Sequence, residues 1–231
     1  MLVDSPRLLI VMNARRIPEA MYSLRNLARV SVCYIRGRTE TELVATIPQV
    51  LDQWQSTEAM QGRRGLVGIA SDDSIIGQRA LDHVFDLSTE LDGMPASGWC
   101  SLDMTHPLSA VCRNELVDAY PVTESYQMET VEWVRAQMSP IRATFTGMAL
   151  HVMDTDWWAE YPFGAYGEHA QGWASDYHLS RRLGLSDVPI MVDPRAEVLH
   201  LKERWQKADR HPAKQLYLGA EHHAIEWQWE A

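Results

Sequence analysis

The chain has 231 residues and a formal net charge of −10, enough length for one domain with a sizeable core and too acidic for a generic nucleic-acid binder. It is 46% hydrophobic and 23% charged, without an apolar run of transmembrane length, which points away from a membrane protein. Cys33, Cys100 and Cys112 are too few and scattered for a disulfide framework or a zinc site, and no signal-peptide pattern opens the chain, so the expected compartment is the cytoplasm.

The charge is unevenly spread. Residues 1–64 carry nine Arg against six acids, a net of +3, and residues 65–200 carry seven Arg against twenty acids, a net of −13. The basic opening segment suits an anionic ligand; it is equally compatible with an ordinary solvated surface.

Arg7-Leu-Leu-Ile-Val-Met-Asn13 has the continuous apolar character of a buried strand. Pro18 opens a helix with Met21, Leu24, Leu27 and Ala28 on one face. Val30 to Ile35 is a second strand, and Thr39 to Gln55 a second helix with Leu43, Ile47, Val50, Leu51 and Trp54 inward and Pro48 as a possible kink. Leu66 to Ala70 is a third strand ending on Ser71-Asp72-Asp73, and residues 76–88 are a third helix. This alternation predicts an α/β fold with a mostly parallel central sheet and helices on both faces.

Beyond residue 95 the pattern changes. Ser97–Leu102 and Pro107–Cys112 read as short strands, Glu124–Gln137 as a helix, and Ile141–Leu150 as a strand broken by Gly147. Residues 154–173 are aromatic and read as a helical turn followed by a loop; 175–183 are a helix, 189–193 a last strand, and the tail from Lys202 is polar and partly helical. No repeat or linker divides the chain. We expect one domain, with a ligand-binding half over 1–94, an acceptor and catalytic half over 95–202, and a tail over 203–231.

Ligands of open parallel sheets sit outside the carboxyl ends of the strands. Asn13, Arg15 and Arg16 follow the first strand and Asp72 and Asp73 follow the third, so all five belong to one rim. Arginines there can bind phosphate oxygens, and the aspartates can ligate magnesium or manganese. The plainer reading of the aspartates is a helix cap. Asp176 opens the helix at 175–183, as a cap or as a general base at a pocket. His200 ends an apolar run and is either structural or a ligand. Nine Trp is high for this length; Trp99, Trp157, Trp158 and Trp173 are either core or aromatic platforms for a sugar or base. No Gly-x-x-x-x-Gly-Lys-Ser/Thr loop, no Gly-x-Gly-x-x-Gly turn and no Gly-x-Ser-x-Gly elbow occurs, which speaks against P-loop enzymes, dinucleotide dehydrogenases and α/β-hydrolases.

In order, Leu8-Leu-Ile-Val-Met-Asn-Ala-Arg15, Ala70-Ser-Asp-Asp73, Phe145-Thr-Gly147, Ser175-Asp176 and Val198-Leu-His200 resemble the GT-A fold of family-2-like nucleotide-sugar glycosyltransferases. The resemblance implies a single GT-A-like domain that transfers sugar from a nucleotide-sugar, such as a UDP-sugar, to a hydroxyl. It implies manganese or magnesium on Asp72 or Asp73 and His200, donor contacts from Asn13, Arg15 and Arg16, and Asp176 as the base. Compact enzymes of this look include the phage-type transferases that glycosylate hydroxymethylated pyrimidines in DNA, and the aromatic second half suits such an acceptor. A small molecule, glycan or protein hydroxyl is the open alternative. So are a nucleotidyltransferase, disfavoured because no Lys precedes Lys202, and a non-catalytic carbohydrate-binding protein, in which Asp72, Asp73 and His200 would be unlinked in space.

Overall fold

Every residue of strand β1 (Arg7–Met12) after Arg7 is buried. Successive strand residues point to opposite faces, so β1 feeds two cores. Leu8 and Ile10 join a cluster with Val50 and Trp54 of helix α2 (Glu40–Gln55), while Leu9 and Val11 join another with Leu24 of helix α1 (Pro18–Arg25) and Val84 and Phe85 of helix α3 (Gln78–Glu90). A strand apolar on both faces needs helices on both, and this one has them. Pro18 stands in the first turn of α1, where its missing N–H costs nothing, and Pro48 lies inside α2 without ending it. The computed structural model describes residues 4–12, 17–36, 40–102, 106–114, 127–147, 149–162, 175–201 and 224–228.

Among the described residues the central sheet has eight strands. Strands β2 (Ser31–Arg36) and β3 (Leu66–Ser71) flank β1 and run parallel to it. Strand β10 (His151–Asp154) lies between β3 and β5 (Ala96–Trp99), antiparallel to both. Strand β11 (Ile190–Glu197) runs parallel to β5, and the edges are closed by antiparallel β8 (Ile141–Ala143) and β13 (Ala224–Gln228). Five of the eight strands therefore point one way, as expected of a mostly parallel sheet.

Two small sheets sit at the carboxyl end of that majority direction. Strand β4 (Ser74–Ile75) pairs with β12 (Leu199–His200). Strand β6 (Leu108–Cys112) pairs with β7 (Met128–Thr130) and β9 (Phe145–Thr146). The second of these hangs from the end of β5: Ala110 N–H donates to the Cys100 carbonyl at 2.8 Å, and Ser101 bridges to Ser109.

The second half departs from expectation in four places. The predicted helix over 124–137 has β7 and a five-residue helix α4 (Val131–Arg135) in its described part; Thr130 caps α4 by accepting from the Trp133 N–H at 3.1 Å. The predicted strand over 141–150 is two short strands, β8 and β9. Strand β10 begins on residues expected in no element, just before the helical turn expected from residue 154, which forms as a helix over Thr155–Glu160. In the tail, expected to be helical in part, the described residues 224–228 form an edge strand.

Candidate functional site

The topology marks one rim. The chain goes from β1 to one side, to β2, then returns past β1 to β3, with α1 and α2 on opposite faces. Such a reversal opens a crevice at the carboxyl ends of the strands. Met12, the last residue of β1, pairs with Ser71, the last of β3. Asn13, Arg15 and Arg16 lie outside the described residues, but the chain enters that segment from Met12, beside the acidic turn.

Asp72 and Asp73 form the turn between β3 and β4, and both are buried, at 0% and 3% exposed. Buried carboxylates demand partners. Asp73 accepts from the Ser71 hydroxyl at Oδ1 (2.5 Å) and meets His200 Nε2 at Oδ2 (3.3 Å). The backbone brings His200 there: Ser74 pairs with His200, Ile75 pairs with Leu199, and Leu201 N–H donates to the Asp73 carbonyl at 2.7 Å. Burial opposes a charge on His200, yet the bond to Asp73 and its negative charge outweigh that and push the imidazole pKa up to about 10. His200 Nδ1 has no hydrogen-bond partner among the described residues, so we assign the upward shift to Asp73 rather than to the Cys100 thiol nearby.

Two of the three expected metal ligands thus come together, and one does not join them. Among the described residues no group of three or more His, Cys, Asp or Glu side chains is arranged to hold a metal. The Asp73–His200 pair nevertheless fits part of a coordination sphere. Donors about 2.1–2.2 Å from one ion and at right angles stand roughly 3 Å apart, and Asp73 Oδ2 and His200 Nε2 are 3.3 Å apart. One carboxylate and one imidazole suit manganese better than magnesium, which favours an all-oxygen set. Such an ion would replace the proton that His200 carries in the ion pair, and its other ligands would have to come from beyond these two side chains.

Asp176 lies in the first turn of helix α6 (Ser175–Leu185) and is half-buried. Leu179 and Leu183 bury the inner face of α6 in the core cluster that also holds Trp158 and Ile190, and the helix packs on β9. It leads into β11 at that strand's first residue, on the amino side of the sheet. At 1.5 Å per residue its eleven residues span about 16 Å, which carries Asp176 towards the carboxyl rim.

Among the described residues, Trp99, Trp157 and Trp158 form no acceptor platform there. Trp99 and Trp158 are each 1% exposed. Trp99 donates to the Pro194 carbonyl at 2.9 Å inside a cluster with Val111 and Val134. Trp158 donates to the Val67 carbonyl at 2.8 Å. Trp157 is half-buried and stacks on Tyr161 with ring centroids 5.5 Å apart. The physical reason is the direction of β10. Because it runs against β3, Asp154 stands opposite Leu66, the first residue of β3, and helix α5 (Thr155–Glu160) starts at the end of the sheet away from Asp73. Trp157 and Trp158 follow it there. Asp154 caps α5, accepting from the Trp157 N–H at 2.9 Å, and pairs with Arg64. Trp173 lies outside the described residues.

Sequence reasoning missed Ser71 as a partner of Asp73, although it stands in the same four-residue motif. It also missed a buried polar chain below the rim. His151 Nε2 lies 3.2 Å from the Thr146 hydroxyl, which is 3.2 Å from the Ser97 hydroxyl, which donates to the Leu150 carbonyl at 3.0 Å. These bonds tie β9 of the small sheet to β10 and β5 of the large one. Burial lowers the His151 pKa to about 4, so the ring is neutral.

No protein-family model matches the sequence, and a search of curated proteins finds no significant relative. Among solved structures, the chain is similar to A197 from STIV, at 7% identity and a TM-score of 0.46, over 85% of this chain and 94% of that one. It is also similar to S. aureus TarS 1–349, at 13% identity and a TM-score of 0.44, over 86% of this chain and 61% of that one. At these identities and scores the two likenesses establish no function.

Proposed function

We propose that the chain is a metal-dependent glycosyltransferase that moves a sugar from a nucleotide-sugar, such as a UDP-sugar, to an acceptor hydroxyl. The observation that carries the reading is the contact of Asp73 with His200 at the carboxyl rim, beside the end of β1. A carboxylate and an imidazole converge where an open α/β sheet receives its ligand. A non-catalytic carbohydrate-binding protein was expected to leave Asp72, Asp73 and His200 unlinked in space, and the contact of Asp73 with His200 favours the transferase reading.

In this reading Asp73 and His200 hold manganese, and Asn13, Arg15 and Arg16 bind the nucleotide and its phosphates. The cation, when bound, supplies neutralisation of the charge that grows on the departing diphosphate. Asp176 accepts the proton of the acceptor hydroxyl as its oxygen bonds to the sugar carbon and the bond to the diphosphate breaks. The position of α6, with its first turn towards the rim, supports that role. Hydroxymethylated pyrimidine DNA is the first acceptor to assay. Its support is the basic segment over 1–64 alone, because Trp99 and Trp158 are core.

The test is donor hydrolysis and transfer with a panel of labelled nucleotide-sugars, with manganese and with chelator. We expect manganese-dependent release of nucleoside diphosphate, lost in Asp73→Asn and His200→Ala. Turnover that survives chelator or both substitutions refutes the metal site. No turnover and no metal-dependent diphosphate binding refutes the transferase.

A further inference from the structure

The acidic turn reads Ser71-Asp72-Asp73-Ser74, and its first serine bonds to its second aspartate. Ser71 closes β3, held in register by Met12 on the neighbouring strand. Its position is therefore fixed by the sheet rather than by the turn. Asp73 lies two residues on, outside any strand. A short carboxylate side chain at a turn has several rotamers open to it. The Ser71 hydroxyl donates to Oδ1 at 2.5 Å, which occupies one oxygen and leaves Oδ2 turned to His200 at 3.3 Å. The hydrogen bond has the short O–H···O length of a bond to an ionised acceptor. The other end of the pair is fixed independently, because the backbone of β12 and the Leu201–Asp73 bond set where His200 stands.

We propose that Ser71 is a positioning residue for the cation site: it orients the Asp73 carboxylate so that Oδ2 and His200 Nε2 face one ion together. The inference rests on the metal-binding reading above and adds to it a division of labour within one carboxylate. One oxygen is committed to the scaffold and one to the cation. It accounts for a serine at the strand end, where a third acid would seem the better ligand. A third carboxylate at Ser71 would place like charges beside two buried aspartates and would remove the hydroxyl that donates to Asp73 Oδ1. Outer partners of metal ligands typically change metal affinity 10–100-fold when removed.

The experiment is manganese binding to the full chain in the presence of a nucleoside diphosphate, followed by the loss of the free-ion electron paramagnetic resonance signal beyond that caused by the diphosphate alone. Wild type, Ser71→Ala, Ser71→Thr and Asp73→Asn are compared, each checked for folding by near-ultraviolet circular dichroism. We expect Ser71→Ala to weaken manganese about tenfold or more. Ser71→Thr, which keeps the hydroxyl and suits a strand end, should stay within about threefold of wild type. Asp73→Asn should abolish binding. If Ser71→Ala binds as wild type does while Asp73→Asn does not, the positioning role is overturned and the metal site stands. If Ser71→Thr fails to rescue, bulk rather than the hydroxyl matters, and the proposal is overturned in the same way. If wild type takes up no manganese, both the metal site and the role of Ser71 fall.

Discussion

His200 stands 127 residues after Asp73 in the chain, and its Nε2 lies 3.3 Å from Asp73 Oδ2. The whole second half of the fold has to form before that contact exists. Strand β11 must bulge past β5 and end in β12, which then pairs with the acidic turn. The site is therefore a product of tertiary structure and not of a local motif.

The first consequence concerns the donor. Asp73→Asn keeps the size of the side chain and a hydrogen-bonding oxygen but removes the charge. We expect manganese-dependent binding of a nucleoside diphosphate to fall at least about tenfold by calorimetry, in line with the loss of a charged ligand. The far-ultraviolet dichroism should be unchanged. Equal affinity in variant and wild type would remove Asp73 from the site.

Trp158 offers a way to separate core from acceptor. Its indole N–H donates to the Val67 carbonyl in the interior, so Trp158→Phe leaves that acceptor unsatisfied and a small void. Denaturant unfolding should show a loss of about 1–3 kcal/mol. The acceptor KM should not change. A raised KM with undiminished stability would return Trp158 to the acceptor site.

Much of the first half was legible because its signals are local. The apolar run of β1, the periodic faces of α1 and α2, and the turn residues after β3 each sit within one short window of sequence. Strand β10 was not legible: His151-Val-Met-Asp154 is four residues long with polar ends, and only its neighbours β3 and β5 make it a strand. That one insertion reversed the chain and sent Trp157 and Trp158 to the far end of the sheet. The tryptophans were ambiguous for a related reason. The carbonyls that satisfy Trp99 and Trp158 are 95 and 91 residues away, and nothing near either residue in sequence reveals them. Asp73 was picked out by its place at the end of β3, and its link to His200 by a family resemblance; the serine that donates to Asp73 lay in plain view but has no signature of its own.

His151 gives a pH dependence. Its folded pKa is lowered to about 4 by burial, below the roughly 6.5 expected of an unfolded chain. Between those values the unfolded state binds more protons than the folded one, so stability rises with pH through that window and is lost as pH falls. The increment is on the order of 3 kcal/mol. His151→Gln cannot titrate. The stability difference between wild type and this variant should change by about that amount between pH 4 and 6.5, measured by urea unfolding. A difference that stays flat across the window would show that His151 is not the buried neutral group found here.

Asp176 is the decisive residue for chemistry, because a helix cap and a general base predict different kinetics. Both roles place a carboxylate in the first turn of α6. Asp176 is the second residue of α6, where its charge on the helix dipole stabilises by about 0.3–1 kcal/mol, so Asp176→Asn should fold and lose no more than about that. It cannot take a proton from an alcohol. Loss of a general base typically lowers the rate about 10²–10⁴-fold. In the proposed mechanism the base meets the acceptor hydroxyl and not the donor, so affinity for the nucleotide-sugar should be kept. We expect kcat to fall by at least about a hundredfold with little change in donor KM, the pattern of a group that acts in the transition state. Transfer at near wild-type rate would leave Asp176 a cap. The base would then have to come from another group on the carboxyl rim. Asp154 and Asp156 are poor substitutes, because one caps α5 and the other lies beside Arg64, 3.7 Å away, at the opposite end of the sheet.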